Sequence, residues 1–196
     1  EALDHEIGRL FDSLQKLNQW DNTEIIFIGD NGDDPSVAQR SGGNKGSIAQ
    51  GGVSVPLIIA GPSVSNPGRV SDALVHTHDL FATILELLGH NNWAAQIPSN
   101  KPVDSKSIVP MLKNQSSSIR NWIFTEVFRT PTVAADGKAM RNLEYKLLDL
   151  DNGTQEFYHL ASDPYETNDL LKKPLDAIAQ SNYNSLCAEM SQLVGK

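Results

Sequence analysis

Cysteine and basic charge are both scarce in this sequence, and their scarcity excludes several classes of function. Cys187 is the single cysteine among 196 residues, so the chain has no internal disulfide and no cysteine-rich zinc site. Sixteen lysines and arginines stand against 24 aspartates and glutamates, a formal net charge of −8. This balance removes the basic footprint of a nucleic-acid-binding protein. An anionic substrate would need local positive charge, from a bound cation or a placed lysine.

Long apolar runs are also missing from the sequence. No stretch approaches the roughly 18 residues that cross a membrane, so we predict no membrane span. The 39% hydrophobic and 20% charged residues are typical of a globular protein. The chain starts without Met, inside an amphipathic helical pattern and without the regions of a signal peptide. We therefore expect it to be a piece of a longer protein.

The apolar pattern of the first half predicts helices separated by buried strands. Apolar residues recur at helical spacing over residues 2–18. Residues 24–28 and 53–61 are apolar on both faces, a pattern typical of buried strands in a parallel sheet. A later helix is predicted to be capped by Thr77 and ended by Gly89. Its buried face would consist of apolar residues at helical spacing, namely Leu80, Phe81, Ile84, Leu85 and Leu88.

The second half predicts an antiparallel hairpin and a closing helix. Residues 121–128 form a predicted strand, and two short strands flank the Asp-Asn-Gly turn at 151–153. A helix is predicted over 175–194, in which Cys187 shares an apolar stripe and faces the core. This order of elements indicates an α/β layer with a small C-terminal antiparallel sheet.

An acidic cluster follows the first predicted strand, in the stretch "IIFIGDNGDD". Asp30 and Asn31 stand where a strand of an α/β sheet ends, which is where such sheets bind ligands. Their side chains offer the hard oxygen ligands that Ca²⁺ or Mg²⁺ takes, but two ligands are too few for a complete site. The alternative is that Asp-Asn-Gly only forms a turn. Both interpretations stay open on these residues alone.

Two further motifs contain residues that bind anions or metals in other proteins. "GGNKGS" lacks the Gly-Lys-Ser/Thr order of a phosphate-binding loop, although its glycines leave Lys45 able to approach an anion closely. His76 and His78 stand two residues apart and precede Asp79. Paired histidines bind zinc in some proteins, but at the entry to a helix they favour capping and first-turn contacts.

Four stretches of the chain, in this order, resemble the sulfatase family of the alkaline-phosphatase superfamily. They are "LDHEIGRLFDSLQKLNQWDNTEIIFIGDNG", "GGNKGSIAQGGVSVPLIIAGP", "HTHDLFATILELLG" and "EYKLLDLDNGTQEFYHLASDPYETNDL". The resemblance implies part of an alkaline-phosphatase-like α/β three-layer sandwich, followed by a small antiparallel sheet and a closing helix. It also implies two segments: 1–128 as the C-terminal part of the catalytic domain, and 129–196 as a small α+β subdomain.

The resemblance implies roles for three residues in sulfate-ester hydrolysis. Asp30 and Asn31 match a pair of ligands to Ca²⁺ (or Mg²⁺), and Lys45 matches the lysine that contacts the sulfate group. Family members often carry an acid just before the Gly-Gly pair, where this chain has Gln50. That difference would remove a partner for Lys45.

The formylglycine motif C/S-x-P/A-x-R of sulfatases has no counterpart at its expected place. "SVAQR" at 36–40 fits the letters but follows the Asp-Asn pair, so we treat it as a chance match, and Cys187 lacks the motif. The nucleophile and the remaining metal ligands are therefore expected in a preceding N-terminal part of the same enzyme. We expect this chain alone to be inactive and to self-associate.

Two rival functions remain open after the resemblance. The first is a phosphodiesterase or phosphonate monoester hydrolase of the same superfamily, whose members more often have Asp-His-Gly where this chain has Asp30-Asn31-Gly32. The second is a non-catalytic binding module. The resemblance favours a sulfatase acting in the periplasm, a lysosome or outside the cell. It does not identify the sulfated substrate.

Overall fold

The computed structural model describes residues 1–37, 43–129, 131, 133 and 136–194. Ala38 to Arg40 of the chance motif lie outside these residues. The chain divides into two compact units. Unit 1 comprises Glu1–Ile28, Pro56–Ser71 and His76–Ile119, and unit 2 comprises Gly29–Val55, Asp72–Val75 and Arg120–Lys196. The segments 1–128 and 129–196 stay a prediction.

Five α-helices and six strands lie within the described residues, together with three single-turn 3₁₀ helices. In chain order they are α1 (Ala2–Lys16), β1 (Ile25–Ile28), α2 (Gln50–Val53), β2 (Leu57–Ala60), α3 (Asp79–Leu87), α4 (Val109–Leu112), β3 (Ile123–Val127), β4 (Gly137–Arg141), β5 (Tyr145–Leu150), β6 (Gln155–His159) and α5 (Ala177–Val194). The 3₁₀ helices are Trp20–Asn22, Trp93–Gln96 and Leu170–Lys172. No helix of the described residues is both long and apolar enough to span a bilayer.

The strand pair of unit 1 corrects one prediction. β1 and β2 pair antiparallel, with Ile25 opposite Ala60 and Ile28 opposite Leu57, so the prediction of a parallel arrangement is wrong for this pair. The prediction of full burial is also wrong, because Ile58 is 60% exposed. A four-residue apolar run reports a preference for an apolar environment and carries no signal for the direction of its partner.

Helix α3 keeps its predicted place but not its predicted contacts. Thr77 does not cap it; instead the buried carboxylate of Asp79 accepts hydrogen bonds from the N–H groups of His76 (2.8 Å) and Lys106 (2.9 Å). The helix buries its small side chains, and the predicted apolar face is only partly covered, with Leu88 70% exposed. Gly89 ends the helix in the left-handed region, as predicted.

The four strands of unit 2 form one antiparallel sheet in the order β3-β4-β5-β6. The β5–β6 hairpin, β3 and α5 confirm the sequence predictions, whereas β4 was missed. One cluster of side chains packs the sheet against α5, with Met140, Leu147, Phe157, Leu186 and Met190 at its centre. Alternate residues along a strand point to opposite faces, and the other face carries a second cluster of Ile48, Ala139, Leu148, Tyr158 and Leu160. Residues 29–52 contain seven glycines and are called the glycine-rich loop below; their parts 29–37 and 43–52 are described. Ile48 thereby anchors this loop to the sheet.

Candidate functional site

The first part of the candidate site is the turn that follows β1. Asp30 and Asn31 come two and three residues after the last residue of that strand, and both are exposed. The Asn31 amide nitrogen donates to the Gly32 carbonyl at 3.1 Å, which leaves the amide oxygen available as a ligand. A carboxylate and an amide thus stand on consecutive exposed residues of this turn.

The glycine-rich loop closes on this turn through two backbone hydrogen bonds. The Asp33 N–H donates to the Gly51 carbonyl at 2.7 Å, and the Lys45 N–H donates to the Asp33 carbonyl at 2.9 Å. Lys45 is therefore tied to a residue only two positions after Asn31, although it lies 14 positions further along the chain. The three residues that the resemblance singled out share one loop, and the Lys45 side chain is exposed.

We call the two described parts of the loop, residues 29–37 and 43–52, its two arms. Glycine is needed where these arms lie against each other. A Cβ on Gly32 would lie 2.5 Å from the Gly52 carbonyl carbon and oxygen, and a Cβ on Gly52 would lie 2.6 Å from the Asn44 carbonyl oxygen. Real side-chain carbons do not approach other atoms so closely. The two arms therefore hold the Asp30–Asn31 turn against α2 by direct backbone contact.

Lys45 provides positive charge within this acidic loop. The pKa of Asp34 is lowered, first by hydrogen bonds from the Ser36 hydroxyl (2.6 Å) and N–H (2.9 Å), and further by attraction to Lys45. Asp34 is an exposed carboxylate, so its attraction to Lys45 is screened by solvent. The Lys45 ammonium accordingly faces the same solvent as the exposed acids of the loop.

Arg129, which follows β3, holds Gly46, the residue after Lys45. The Arg129 guanidinium donates to the Gly46 carbonyl and also to the buried carboxylate of Asp136. Asp136 accepts a further hydrogen bond from the Arg129 N–H at 2.9 Å. Gly46 itself lies in the left-handed region, at φ 83°, which glycine adopts without strain. The sequence offered no signal for this contact, because Arg129 and Asp136 belong to no motif.

Gln50 contacts Lys146 and Glu166 of the sheet unit. Its N–H donates to the Glu166 carboxylate at 2.6 Å, and its side-chain carbonyl accepts from Lys146 Nζ at 3.4 Å. The Gln50 side chain thus contacts a different lysine, Lys146, and the expectation that glutamine at this position removes a partner of Lys45 stays a prediction. An acid here would place a second carboxylate beside Lys146.

The donor set of the loop fits a hard divalent cation only in part. Asp30 and Asn31 offer two oxygens of the kind such an ion takes, and no group of three or more His, Cys, Asp and Glu suited to a metal occurs among the described residues. Calcium takes six to eight oxygens, so the remaining ligands would have to come from elsewhere. His76 and His78 do not form such a group; their rings stack at 4.1 Å between centroids.

Comparison with known proteins gives this loop a family context. Residues 1–90 match the sulfatase family model. A sulfatase of Formosa agariphila is 32% identical over 194 residues, covering 87% of this chain and 34% of the relative. The chain belongs to the sulfatase family. Family membership confirms the resemblance noted from the sequence.

Two further relatives of this sulfatase-family chain carry information on fold and extent. The N-acetylglucosamine-6-O-sulfatase of Bacteroides thetaiotaomicron is 26% identical over 195 residues, covering 96% of this chain and 33% of the relative. A solved protein in complex with its substrate D-glucosamine-2-N,6-O-disulfate is 25% identical, with a TM-score of 0.79, and the match covers 97% of this chain and 38% of that one. The fold is therefore alkaline-phosphatase-like, as predicted, and the chain spans about a third of the length of its curated relatives.

Proposed function

We propose that this chain is the C-terminal portion of a sulfuric ester hydrolase. In this proposal Asp30 and Asn31 belong to a calcium site, and Lys45 contacts the sulfate group of the substrate. The observation that supports it best is the backbone closure of the loop, in which the Lys45 N–H donates to the Asp33 carbonyl at 2.9 Å. That bond ties the backbone of a cationic residue to the segment that directly follows Asp30 and Asn31, in a chain whose net charge is −8.

Each residue would contribute a separate part of the chemistry. Asp30 and Asn31 would hold Ca²⁺ or Mg²⁺, which when bound supplies Lewis-acid polarisation of sulfate oxygens. Lys45 would bind the anionic sulfate group and stabilise the negative charge that develops on its oxygens in the transition state. The formylglycine nucleophile and the other metal ligands would come from the preceding part of the same enzyme. We place this enzyme in the periplasm, in a lysosome or outside the cell.

The substrates to test first are sulfated sugars and a simple aryl sulfate. One relative is named for N-acetylglucosamine 6-O-sulfate chemistry, and a structural relative binds a disulfated glucosamine. The full-length protein should hydrolyse a sulfate ester and leave the matching phosphate ester largely intact. A preference for phosphate diesters would instead support the phosphodiesterase branch, and no hydrolysis of either class would support a binding module.

The role of Lys45 is tested by Lys45→Met in the full-length protein, with Lys101→Met as the control. Both lysines are exposed, so neither change should alter the melting temperature appreciably. Losing one group that stabilises developing charge typically lowers kcat by roughly 10²- to 10³-fold. We expect that loss for Lys45→Met and none for Lys101→Met; equal activities would refute the assigned role.

The isolated 196-residue chain provides a complementary test. It should show no hydrolysis of an aryl sulfate, because only part of the site is present. Measurable turnover by the purified chain, absent from its Lys45→Met variant, would show that the site is more complete than proposed.

A further inference from the structure

A buried ion pair in the sheet unit has no part in the roles proposed so far. Lys146 of β5 contacts Glu166, which follows β6, at 2.8 Å between Nζ and a carboxylate oxygen. Both side chains are only 1% exposed. Glu166 also has a left-handed backbone, at φ 55°, a conformation that residues with a Cβ adopt at a cost.

Stability alone is a weak reason for such a pair. Removing two charges from water costs about as much as their attraction returns, and replacing a buried pair with apolar residues of similar volume is often neutral or stabilising. The pair does, however, present the second carboxylate oxygen of Glu166 to the N–H of Gln50, at 2.6 Å. Lys146 also approaches the Gln50 side chain, at 3.4 Å.

Three hydrogen bonds, joined by short stretches of backbone, connect this carboxylate to Lys45. Gln50 is the first residue of α2, and the next residue, Gly51, accepts from the Asp33 N–H at 2.7 Å. The Asp33 carbonyl in turn accepts from the Lys45 N–H at 2.9 Å. Glu166 therefore fixes the start of the short helix on which both the Asp30–Asn31 turn and the Lys45 arm rest.

We propose that Glu166, held by Lys146, is a positioning residue for Lys45 and for the Asp30–Asn31 turn. The proposal rests on the sulfatase function above and deepens it. The small antiparallel sheet then has a part in catalysis although it contributes none of the proposed reacting groups. Its carboxylate adds a fixed contact at Gln50 to those that Ile48 and Arg129 already make between the loop and the sheet.

The most direct test removes the donor without substituting either member of the ion pair, and the proline ring also pushes away the Glu166 oxygen that lies 2.6 Å from the Gln50 nitrogen. Gln50→Pro deletes the N–H, whereas Gln50→Ala keeps it, and both variants lose the same side chain. Proline is well tolerated at the first helical position, and Ala49 already has the extended conformation that precedes proline, with φ −67° and ψ 162°. Both variants are made in the full-length protein.

The two variants should differ more in kcat than in KM. Misplacing a catalytic group by about 1 Å costs up to roughly 100-fold in rate, so Gln50→Pro should lower kcat about 10- to 100-fold relative to Gln50→Ala. Because Lys45 is proposed to bind the sulfate group in the ground state and more strongly in the transition state, KM should rise less than kcat falls. Equal kcat values for the two variants, with both folded, would overturn the proposal.

A second pair of variants tests the carboxylate side. Lys146→Met with Glu166→Gln removes both charges but keeps an oxygen that accepts the Gln50 N–H, whereas Lys146→Met with Glu166→Leu removes the acceptor as well. Relative to the glutamine variant, the leucine variant should lose about 10-fold or more in kcat. A loss of the same size in both variants would assign the effect to the charges and contradict the positioning role.

Hydrogen exchange separates this proposal from the proposed function. In Gln50→Pro, and in the variant with Glu166→Leu, peptides within residues 43–53 and the Asp33 amide should exchange at least about 10-fold faster than in their matched controls. If the full-length protein hydrolyses no sulfate ester, the proposed function fails, yet this exchange still reports whether Glu166 holds the loop. Unchanged exchange in both pairs would overturn the positioning role even in an active sulfatase.

Discussion

Gly32→Ala is the substitution that most sharply tests the packing of the site loop. Gly32 directly follows Asn31, and its added Cβ would meet the backbone of Gly52 at 2.5 Å and overlap the Gly51 carbonyl oxygen. Gly32 does not lie in the left-handed region, so alanine brings no backbone strain of its own. The entire effect should come from pushing the Asp30–Asn31 turn away from α2.

The expected size of the effect follows from the geometry of the contact. The 2.5 Å separation from Gly52 must grow to at least the 3.4 Å of ordinary contact, a shift of at least about 0.9 Å, and the closer Gly51 oxygen requires a larger one. Overpacking of this kind costs about 1–3 kcal/mol, and alanine recovers about 0.4–1 kcal/mol through the unfolded state. The net destabilisation then lies between about 0 and 2.6 kcal/mol, centred near about 1.3 kcal/mol, with a loss of roughly 100-fold in kcat/KM from displacement of the Asp30–Asn31 turn.

The assay compares sulfate-ester hydrolysis and denaturant unfolding of the full-length protein with those of Gly8→Ala. Gly8 lies within α1, and nothing lies within 4 Å of the position of its Cβ. Alanine there should stabilise the helix by up to about 1 kcal/mol and leave activity unchanged. If Gly32→Ala is as stable and as active as Gly8→Ala, the tight crossing of the two arms does not exist and the site geometry is wrong.

Three further predictions concern the rest of the chain. Thr83→Val should destabilise the protein by about 1–3 kcal/mol in urea unfolding, since the buried Ile108 N–H loses its acceptor at 3.0 Å; no change would contradict this bond. Burial raises the pKa of the Cys187 thiol above its ordinary 9.0. The thiol therefore ionises at a lower pH in the unfolded chain than in the folded one, and the free energy of unfolding falls as pH rises above about 9. Iodoacetamide should therefore label the folded protein far more slowly than the unfolded one at pH 8, and equal rates would refute burial. The isolated chain should self-associate, because Leu10 and Leu17 are 55% and 68% exposed. Replacing both leucines with Gln should reduce the association. A monodisperse monomer in light scattering of the unmodified chain would contradict this prediction.

Elements with a strong local pattern were predictable from the sequence. Helix α1 was predicted over 2–18 and extends over Ala2–Lys16, and the Asp-Asn-Gly turn correctly indicated the β5–β6 hairpin. The pairing of β1 with β2 was not predictable, since an apolar run gives no direction. The burial of α3 was mispredicted because polar contacts determine its inward side: the Thr83 hydroxyl donates to the Asp79 carbonyl and accepts from Ile108.

The candidate site likewise contains residues with a signal in the sequence and residues without one. Asp30 and Asn31 stand out as candidates because they follow an apolar strand, Lys45 stands out only through the family resemblance, and the roles of all three stay predictions. Glu166 does not stand out, since it acts on Gln50 across 116 positions of sequence. A charged side chain is expected at the surface, and only the fold shows that Lys146 and Glu166 neutralise each other in the interior.

The most direct measurement is a crystal structure of the full-length protein grown with Ca²⁺ and inorganic sulfate. It should show the Asp30 carboxylate and the Asn31 amide oxygen bound to one ion at about 2.3–2.6 Å. Lys45 Nζ should lie within about 3 Å of a sulfate oxygen beside that ion. An ion bound elsewhere, or Asp30 and Asn31 turned toward different points, would contradict the sulfatase site assigned to this loop.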